Sequence, residues 1–191
     1  MTEHDDTAGL RADARRNRDK LLRAAALLFA EQGVTAPMEE IAWRAGLGIG
    51  TLYRHFPTRD ALIERVYRRE AEALHAAALE LQRSLPADEA LGQWMQRSLD
   101  LLATKRGLGD SLRNLLRDRP DLMAVGRAGF PDRLQELVEA AIASGRIRPD
   151  VEVADVMQAL SGIYSAPPSP DWRVRSGRVI ELLMDGLRYR G

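Results

Sequence analysis

Apolar residues recur at helical spacing along almost the whole chain. A helix that packs one face against a core places apolar side chains at positions i, i+3, i+4 and i+7, whereas a half-buried strand alternates with period two. The chain shows the first pattern repeatedly and does not sustain the second. The helical pattern occupies residues 17–33, 37–45, 49–56, 58–85, 91–102, 112–116, 131–145, 150–163 and 172–187. The sequence therefore predicts an all-α fold.

Capping residues and breaks separate these predicted helices. Asn17, Thr58 and Asp150 carry side-chain oxygens that suit the N-cap position. Gly33 suits the left-handed residue that follows a helix, and the prolines of 167–170 form a rigid break before the last helix.

Composition indicates an ordinary globular protein. The chain has 191 residues, 45% of them hydrophobic and none of them cysteine. It therefore has no disulfide, no thiolate nucleophile and no cysteine-bound zinc, which agrees with a reducing compartment. The start of the chain is polar and acidic, unlike a secretory signal, and no stretch approaches the roughly 18 apolar residues that span a bilayer. We expect a cytoplasmic protein without membrane association.

Charge is unevenly distributed although the chain is neutral overall. The 28 basic residues equal the 28 acidic ones in number, but the stretch from Arg11 to Arg59 holds nine basic and five acidic residues. A locally basic surface on a neutral protein is typical of a nucleic-acid-binding region. A solvated helix face rich in arginine explains the same charge, so charge alone leaves both interpretations open.

The segment Met38–Phe56 has the spacing of a helix-turn-helix. One apolar face is formed by Met38, Ile41, Ala42 and Ala45, and a second by Ile49, Leu52 and Phe56. Between them, Gly46 can adopt the positive φ that a tight turn requires. The small and polar residues left outside are Gly48, Gly50, Thr51, Tyr53, Arg54 and His55. Such residues suit a phosphate backbone or base edges, although a generic helical hairpin has the same spacing.

The order of the motifs resembles the N-terminal domain of the TetR family of repressors. The resemblance covers residues 15–65 and rests on AAALLFAEQGV, EEIAWRAGLGIGTLYRHF and PTRDAL, in that order. It implies a homodimer that binds double-stranded operator DNA and senses a small-molecule effector. The implied organisation is a flexible tail at 1–12, a helix-turn-helix DNA-binding domain at 13–58 and a C-terminal ligand-binding and dimerisation domain at 59–191.

The resemblance also implies roles for individual residues. Thr51 and Tyr53 are expected to contact bases or phosphate, and His55 phosphate. The full set of expected DNA contacts is Arg16, Arg18, Arg44, Gly48, Gly50, Thr51, Tyr53, Arg54, His55 and Arg59. Gly48 and Ile49 stand where many relatives have a serine cap and a basic residue, so one backbone contact is lost.

For the C-terminal domain the resemblance implies an effector pocket and a dimer interface. Candidate pocket residues are His75, Trp94, Met95, Leu99, Met123, Phe130, Leu134, Val138 and Met157. The interface is expected on the last two helices, at Val153, Val156, Leu160, Ile163, Ile180, Leu183, Met184 and Leu187. Methionines and aromatic residues at helical spacing also describe an ordinary core, so that interpretation of the pocket residues stays open.

The sequence gives no sign of catalytic chemistry. Its carboxylates are scattered in mixed-charge runs, and it lacks a phosphate-binding glycine loop, a nucleophile elbow and metal-ligand spacing. We expect no catalytic residue, metal or cofactor, and interpret the chain as a repressor released from a palindromic operator by its effector. The alternatives are a helical ligand-binding protein or enzyme with a vestigial DNA-binding domain, and an activator, which only the operator's position distinguishes.

Overall fold

The computed structural model describes the backbone of residues 3–127, 129–167 and 169–188, and the side chains of these residues other than 3–8, 10, 123 and 125–127. Within these ranges the chain forms nine helices and no strand. They are α1 Glu3–Gln32, α2 Met38–Arg44, α3 Ile49–His55, α4 Arg59–Ser84, α5 Ala87–Asp118, α6 Pro120–Arg127, α7 Phe130–Ala143, α8 Val153–Ser165 and α9 Trp172–Leu187. The all-α prediction is confirmed.

Three helices differ from the sequence prediction. Helix α1 begins at Glu3, so most of the predicted tail 1–12 is helical, in keeping with its alanines and arginines and its lack of proline. The predicted helices 91–102 and 112–116 belong to α5, which is interrupted at Gly109, where φ is 49° and ψ is −129°. Helix α6 was not predicted; it begins with Pro120, a residue favoured in the first turn.

The chain divides into two compact units. The first contains the residues up to Arg68 together with Thr104–Pro120, and the second contains Arg69–Ala103 together with the residues from Asp121 onward. The second stretch of the first unit lies outside the predicted DNA-binding domain at 13–58. Among the described residues, no helix combines the length and hydropathy needed to cross a membrane.

The core of the first unit lies beneath α1, α2 and α3. Its fully buried residues include Leu21, Ala25, Leu28, Phe29, Ile41, Leu52, Leu62, Ile63, Val66 and, from α5, Leu108. Phe56 and Ala42 are 1% exposed and complete the contact of the two short helices with α1. This core fixes the angle at which α3 is held.

Helix α5 lies against the backbone of helix α1 at Gly107. A Cβ atom on Gly107 would lie 1.8 Å from the backbone oxygen of Phe29. One ion pair and one cation–ring contact join this part of the chain to α4: Arg119, just after α5, pairs with Glu64 at 3.2 Å, and the Lys105 ammonium lies 5.4 Å from the centre of the Tyr67 ring. The end of α5 is thus built into the unit that contains α2 and α3.

The second unit has its own apolar core. Its fully buried residues include Ala78, Leu91, Trp94, Met95, Leu99, Leu134, Val138, Ala141 and Leu160. The Trp94 indole Nε1 donates a hydrogen bond of 3.0 Å to the backbone oxygen of Leu74, so its polar atom is satisfied inside this core.

Candidate DNA-binding interface

Helix α2 begins after Pro37, which has an extended backbone (φ −62°, ψ 139°) and serves as the N-cap residue. A proline suits this position because it donates no backbone hydrogen bond, and the four N–H groups that start a helix have no partner within the helix. Glu39 and Glu40 lie in the first turn, where carboxylates interact favourably with the helix dipole. Met38, Ile41 and Ala42 face the core.

The turn between α2 and α3 is closed by backbone hydrogen bonds. The Gly46 N–H donates to the Trp43 oxygen and the Leu47 N–H to the Ala42 oxygen, both at 2.9 Å. This pair of bonds is a Schellman motif, which requires a left-handed residue after the helix. Gly46 supplies it with a φ of 70°, as its predicted role in the turn requires.

Helix α3 presents a polar side to solvent. Gly48 is its N-cap, with φ −75° and ψ 150° and no side-chain capping bond. Leu52 and Phe56 are buried, whereas Gly50 and Arg54 are exposed and Tyr53 is 46% exposed. Thr51 and His55 are partly exposed on its flanks. The structure therefore brings the predicted residues of this helix together on one accessible face.

The predicted arginine contacts occupy different settings. Arg16 pairs with Asp13 three residues earlier on α1, and the Arg18 guanidinium carbon lies 6.0 Å from the centre of the Phe56 ring. Arg44 pairs with Glu31 of α1 at 2.7 Å, so part of its charge is already neutralised within the unit. Arg54, in the last turn of α3, is exposed.

Arg59 holds the loop between α1 and α2. Its Nη1 atom donates hydrogen bonds to the backbone oxygens of Val34 and Ala36, the latter at 2.8 Å. These two carbonyls precede α2 by only a few residues, so Arg59 fixes where α2 begins. Sequence reasoning missed this role because the partners lie more than twenty residues away and a backbone carbonyl leaves no trace in the sequence.

The predicted pocket residues all belong to the second unit. Trp94, Met95, Leu99, Leu134 and Val138 are fully buried, and Phe130, Met157 and His75 are partly exposed. The Met123 side chain lies outside the described residues. The Phe130 ring centre lies 4.7 Å from that of Trp94 and 6.2 Å from that of Tyr164.

Two polar residues of this cluster were not predicted. The hydroxyl oxygens of Ser98 and Tyr164 are 2.5 Å apart, and burial raises the pKa of Tyr164 to about 12. His75 packs against the backbone of Gly129, where a Cβ would lie 3.3 Å from the His75 Cε1 atom. Burial and the positive charge of Arg133 lower the pKa of His75, which favours its neutral form.

The predicted dimer residues largely face the core of their own unit. Val156, Leu160, Ile163, Ile180, Met184 and Leu187 are at most 8% exposed, and Val153 and Leu183 are partly exposed. A side chain buried in its own protomer offers little surface to a partner. The apolar residues that α9 exposes are Val174, Val179 and Leu182, at 57%, 45% and 69%.

The described part of the chain contains no cluster of three or more histidine or acidic side chains that could hold a metal ion. The polar side chains that α3 exposes fully or partly are a hydroxyl, a phenol, an imidazole and a guanidinium. These groups donate hydrogen bonds to phosphate oxygens and to acceptors on base edges.

Two family profiles match the sequence. The profile of bacterial regulatory proteins of the tetR family matches residues 21–66. The profile of the C-terminal domain of SbtR-like transcriptional regulators matches residues 86–189. The curated relatives include an HTH-type transcriptional regulator of Staphylococcus aureus strain USA300, which is 41% identical over 64 residues, or 33% of this chain. The chain spans 35% of the length of that relative.

Solved structures resemble most of the chain. The TetR transcriptional regulator SCO0520 from Streptomyces coelicolor is 40% identical, with a TM-score of 0.77 over 91% of this chain and 99% of its own. A TetR transcription regulatory protein from Mycobacterium vanbaalenii is 36% identical, with a TM-score of 0.73 over 94% and 99%. The regulator LfrR from Mycobacterium smegmatis, solved in complex with proflavine, is 24% identical and shares the fold, with a TM-score of 0.59 over 87% and 95%.

Proposed function

Because the chain belongs to the TetR family of bacterial transcriptional regulators, we propose that it is a repressor that binds a palindromic operator and leaves it when a small molecule binds. The observation that carries this proposal is the open polar face of α3, with Tyr53 and Arg54 exposed and Thr51 and His55 beside them. In helix-turn-helix proteins the second helix enters the major groove and the first crosses the DNA backbone.

The proposal assigns these residues two kinds of contact. Thr51, Tyr53 and Arg54 read base edges or adjacent phosphates, whereas His55, Arg16 and Arg18 bind the backbone and add a salt-dependent affinity. Arg44 and Arg59 contribute by positioning α2, because Glu31 and the carbonyls of the α1–α2 loop already bind them. Gly48 and Gly50 let the backbone of α3 approach the groove, since neither carries a side chain.

Operator binding is tested with a duplex selected from a random-sequence library by the protein itself. Tyr53→Ala is expected to weaken binding of this selected duplex at least about tenfold, since it removes a base or phosphate contact. Affinity measured at several salt concentrations should fall steeply as salt rises.

Arg113→Ala provides the matched control, because Arg113 is an exposed arginine of the same unit that lies on α5. It should bind the selected duplex as the unsubstituted protein does. Failure of the protein to enrich any duplex at any salt concentration would contradict the proposed function and favour a ligand-binding role alone. Repression itself is measured with a reporter whose promoter overlaps the selected sequence.

The proposed effector site is the aromatic cluster of Trp94, Phe130 and Tyr164 with His75. It combines apolar ring faces with hydroxyl and imidazole groups, the usual composition of a small-molecule site. A compound that raises the melting temperature of the protein should weaken binding of the selected duplex by about 5- to 150-fold, the usual range of such coupling. Stabilising compounds that all leave duplex affinity unchanged would refute effector release.

The proposed dimer interface is the outward side of α8 and α9. A groove of about 630 Å³ lies there, and among its lining residues are Ala159, Gly162, Ala166, Trp172, Ser176 and Val179. Small residues on α8 let a second copy approach closely, and α9 exposes the apolar side chain of Leu182 three positions after Val179, on the same side of the helix. In the proposed dimer each copy supplies one α3 helix to one half-site of the operator, and the half-sites of such dimers lie about 34–36 Å apart.

Leu182→Glu tests this interface. A buried carboxylate without a partner opposes association, so the variant is expected to sediment as a monomer at concentrations where the unsubstituted protein is a dimer. Leu79→Glu is the control, because Leu79 is 44% exposed in the same unit but lies on α4 and not on the proposed interface helices α8 and α9. If all three proteins sediment in the same oligomeric state, this surface is not the dimer interface.

A further inference from the structure

Helix α2 has two flanks beside its buried face, and side chains of α1 contact one of them. Successive residues of a helix are about 100° apart, so Glu40 and Arg44 share one flank while Glu39 and Trp43 share the other. On the first flank, Gln32 Nε2 donates to Glu40 at 2.9 Å and Arg44 pairs with Glu31 at 2.7 Å. Both partners belong to the end of α1, which therefore lies along this flank.

The second flank carries an exposed tryptophan. Trp43 is 78% exposed, the largest fraction among the exposed large hydrophobic residues of the described chain. Its backbone oxygen accepts the Gly46 hydrogen bond that closes the turn into α3, so its position relative to α3 is fixed. An indole that is mostly exposed gains little from packing within the protein and is a candidate for contact with a partner.

We propose that Trp43 contacts the sugar–phosphate backbone of the operator beside the groove that α3 enters. The indole N–H would donate to a phosphate oxygen, and the ring would pack against a deoxyribose. This inference rests on the proposed operator binding. It follows from placement: the first helix of a helix-turn-helix crosses the backbone, and α1 already covers the other flank of α2.

The surroundings of Trp43 favour DNA over a protein partner. Protein docking surfaces are contiguous apolar patches, whereas the neighbours of Trp43 on its flank and in sequence are Glu39 and Arg44. Because side chains on a helix lean toward its N-terminus, the indole projects over the turn that contains Glu39. The Glu39 carboxylate only accepts hydrogen bonds, so the indole N–H is the side-chain donor that these two residues offer to the DNA backbone.

Tryptophan fluorescence tests the contact directly. The chain has three tryptophans, and Trp94 and Trp172 are 0% and 7% exposed, so added acrylamide reaches Trp43 preferentially. Binding of the selected duplex should lower acrylamide quenching at least about twofold, because bound DNA covers the indole. Unchanged quenching with duplex fully bound would overturn the proposal, as would protection that appears on concentrating the protein without DNA.

Affinity measurements separate this inference from the function on which it rests. Trp43→Ala should bind the selected duplex about tenfold more weakly, the effect of losing a hydrogen bond to a charged group. The affinity of Trp43→Phe for the duplex should lie between those of the unsubstituted protein and Trp43→Ala, since phenylalanine keeps a ring and loses the hydrogen-bond donor. Leu27→Ala is the matched control: Leu27 is 58% exposed on α1 of the same unit and should be without effect. If the unsubstituted protein binds no duplex the proposed function fails; if it binds and Trp43→Ala binds equally well, only this inference fails.

Discussion

Replacing Gly107 with alanine is expected to destabilise the first unit by about 3 kcal/mol or more. The new Cβ would lie 1.8 Å from the Phe29 oxygen and 2.6 Å from the Phe29 carbonyl carbon, far inside van der Waals contact. Both atoms belong to the backbone of α1, which cannot rotate away as a flexible side chain can. The clash is relieved only if α5 and α1 move apart, and this movement exposes the core beneath α3.

Urea unfolding of Gly107→Ala and of the unsubstituted protein measures this effect. Gly50→Ala is the control, because it lies in a helix of the same unit with no atom within 4 Å of the added Cβ. Alanine is the better helix former, so this variant should be equally stable or up to about 1 kcal/mol more stable. If Gly107→Ala unfolds at the same urea concentration as the unsubstituted protein, the close approach of α5 to α1 is refuted.

The contrast between Gly46 and Gly107 shows which structural roles of a glycine can be predicted from the sequence. The role of Gly46 can be predicted because it depends only on residues nearby in the sequence. Gly46 lies between two short apolar helix faces, where the chain must turn. Gly107 lies between the predicted helices 91–102 and 112–116, and its close contact is with the backbone carbonyl of Phe29, nearly eighty positions away along the chain. A backbone contact of this kind imposes no side-chain pattern on α1, so nothing in the sequence distinguishes Gly107 from a glycine in an ordinary connecting segment.

The same distinction applies to the candidate site. The polar face of α3 could be predicted, since it follows from helical spacing between Ile49 and Phe56. The partners of Arg44 and Arg59 could not, because Glu31 and the loop carbonyls meet them only after α1 packs on α2. The exposure of Trp43 could have been predicted, because the apolar face of α2 excludes this position, but its helical spacing assigns the indole no partner.

The second unit depends on a buried carboxylate shared by two arginines. Asp88, in the first turn of α5, is 5% exposed. It accepts hydrogen bonds from Arg188 Nε at 3.0 Å and Arg146 Nη1 at 3.3 Å. Arg146 follows α7 and Arg188 follows α9, so this one side chain fastens the ends of both helices to the start of α5.

Asp88→Asn is therefore expected to lower the free energy of unfolding by about 2 kcal/mol at neutral pH, because two charge-assisted hydrogen bonds lose their anionic acceptor. The exposed pair Arg148–Asp150 provides the control, since water hydrates both partners and Asp150→Asn should unfold at the same urea concentration as the unsubstituted protein.

The stability that Asp88 contributes should disappear in acid. Burial alone would raise the pKa of Asp88, but the hydrogen bond and charge of Arg188 and the charge of Arg146 outweigh it and hold the pKa below its ordinary value. A carboxyl whose pKa is lowered by folding stabilises the protein above its unfolded pKa of about 3.9, and this contribution is lost as the pH falls through the folded pKa. The difference in urea midpoint between the unsubstituted protein and Asp88→Asn should thus be constant from pH 7 to about pH 5 and shrink below pH 4. A difference that stays constant down to pH 3 would show that Asp88 does not hold the ends of α7 and α9 through its charge.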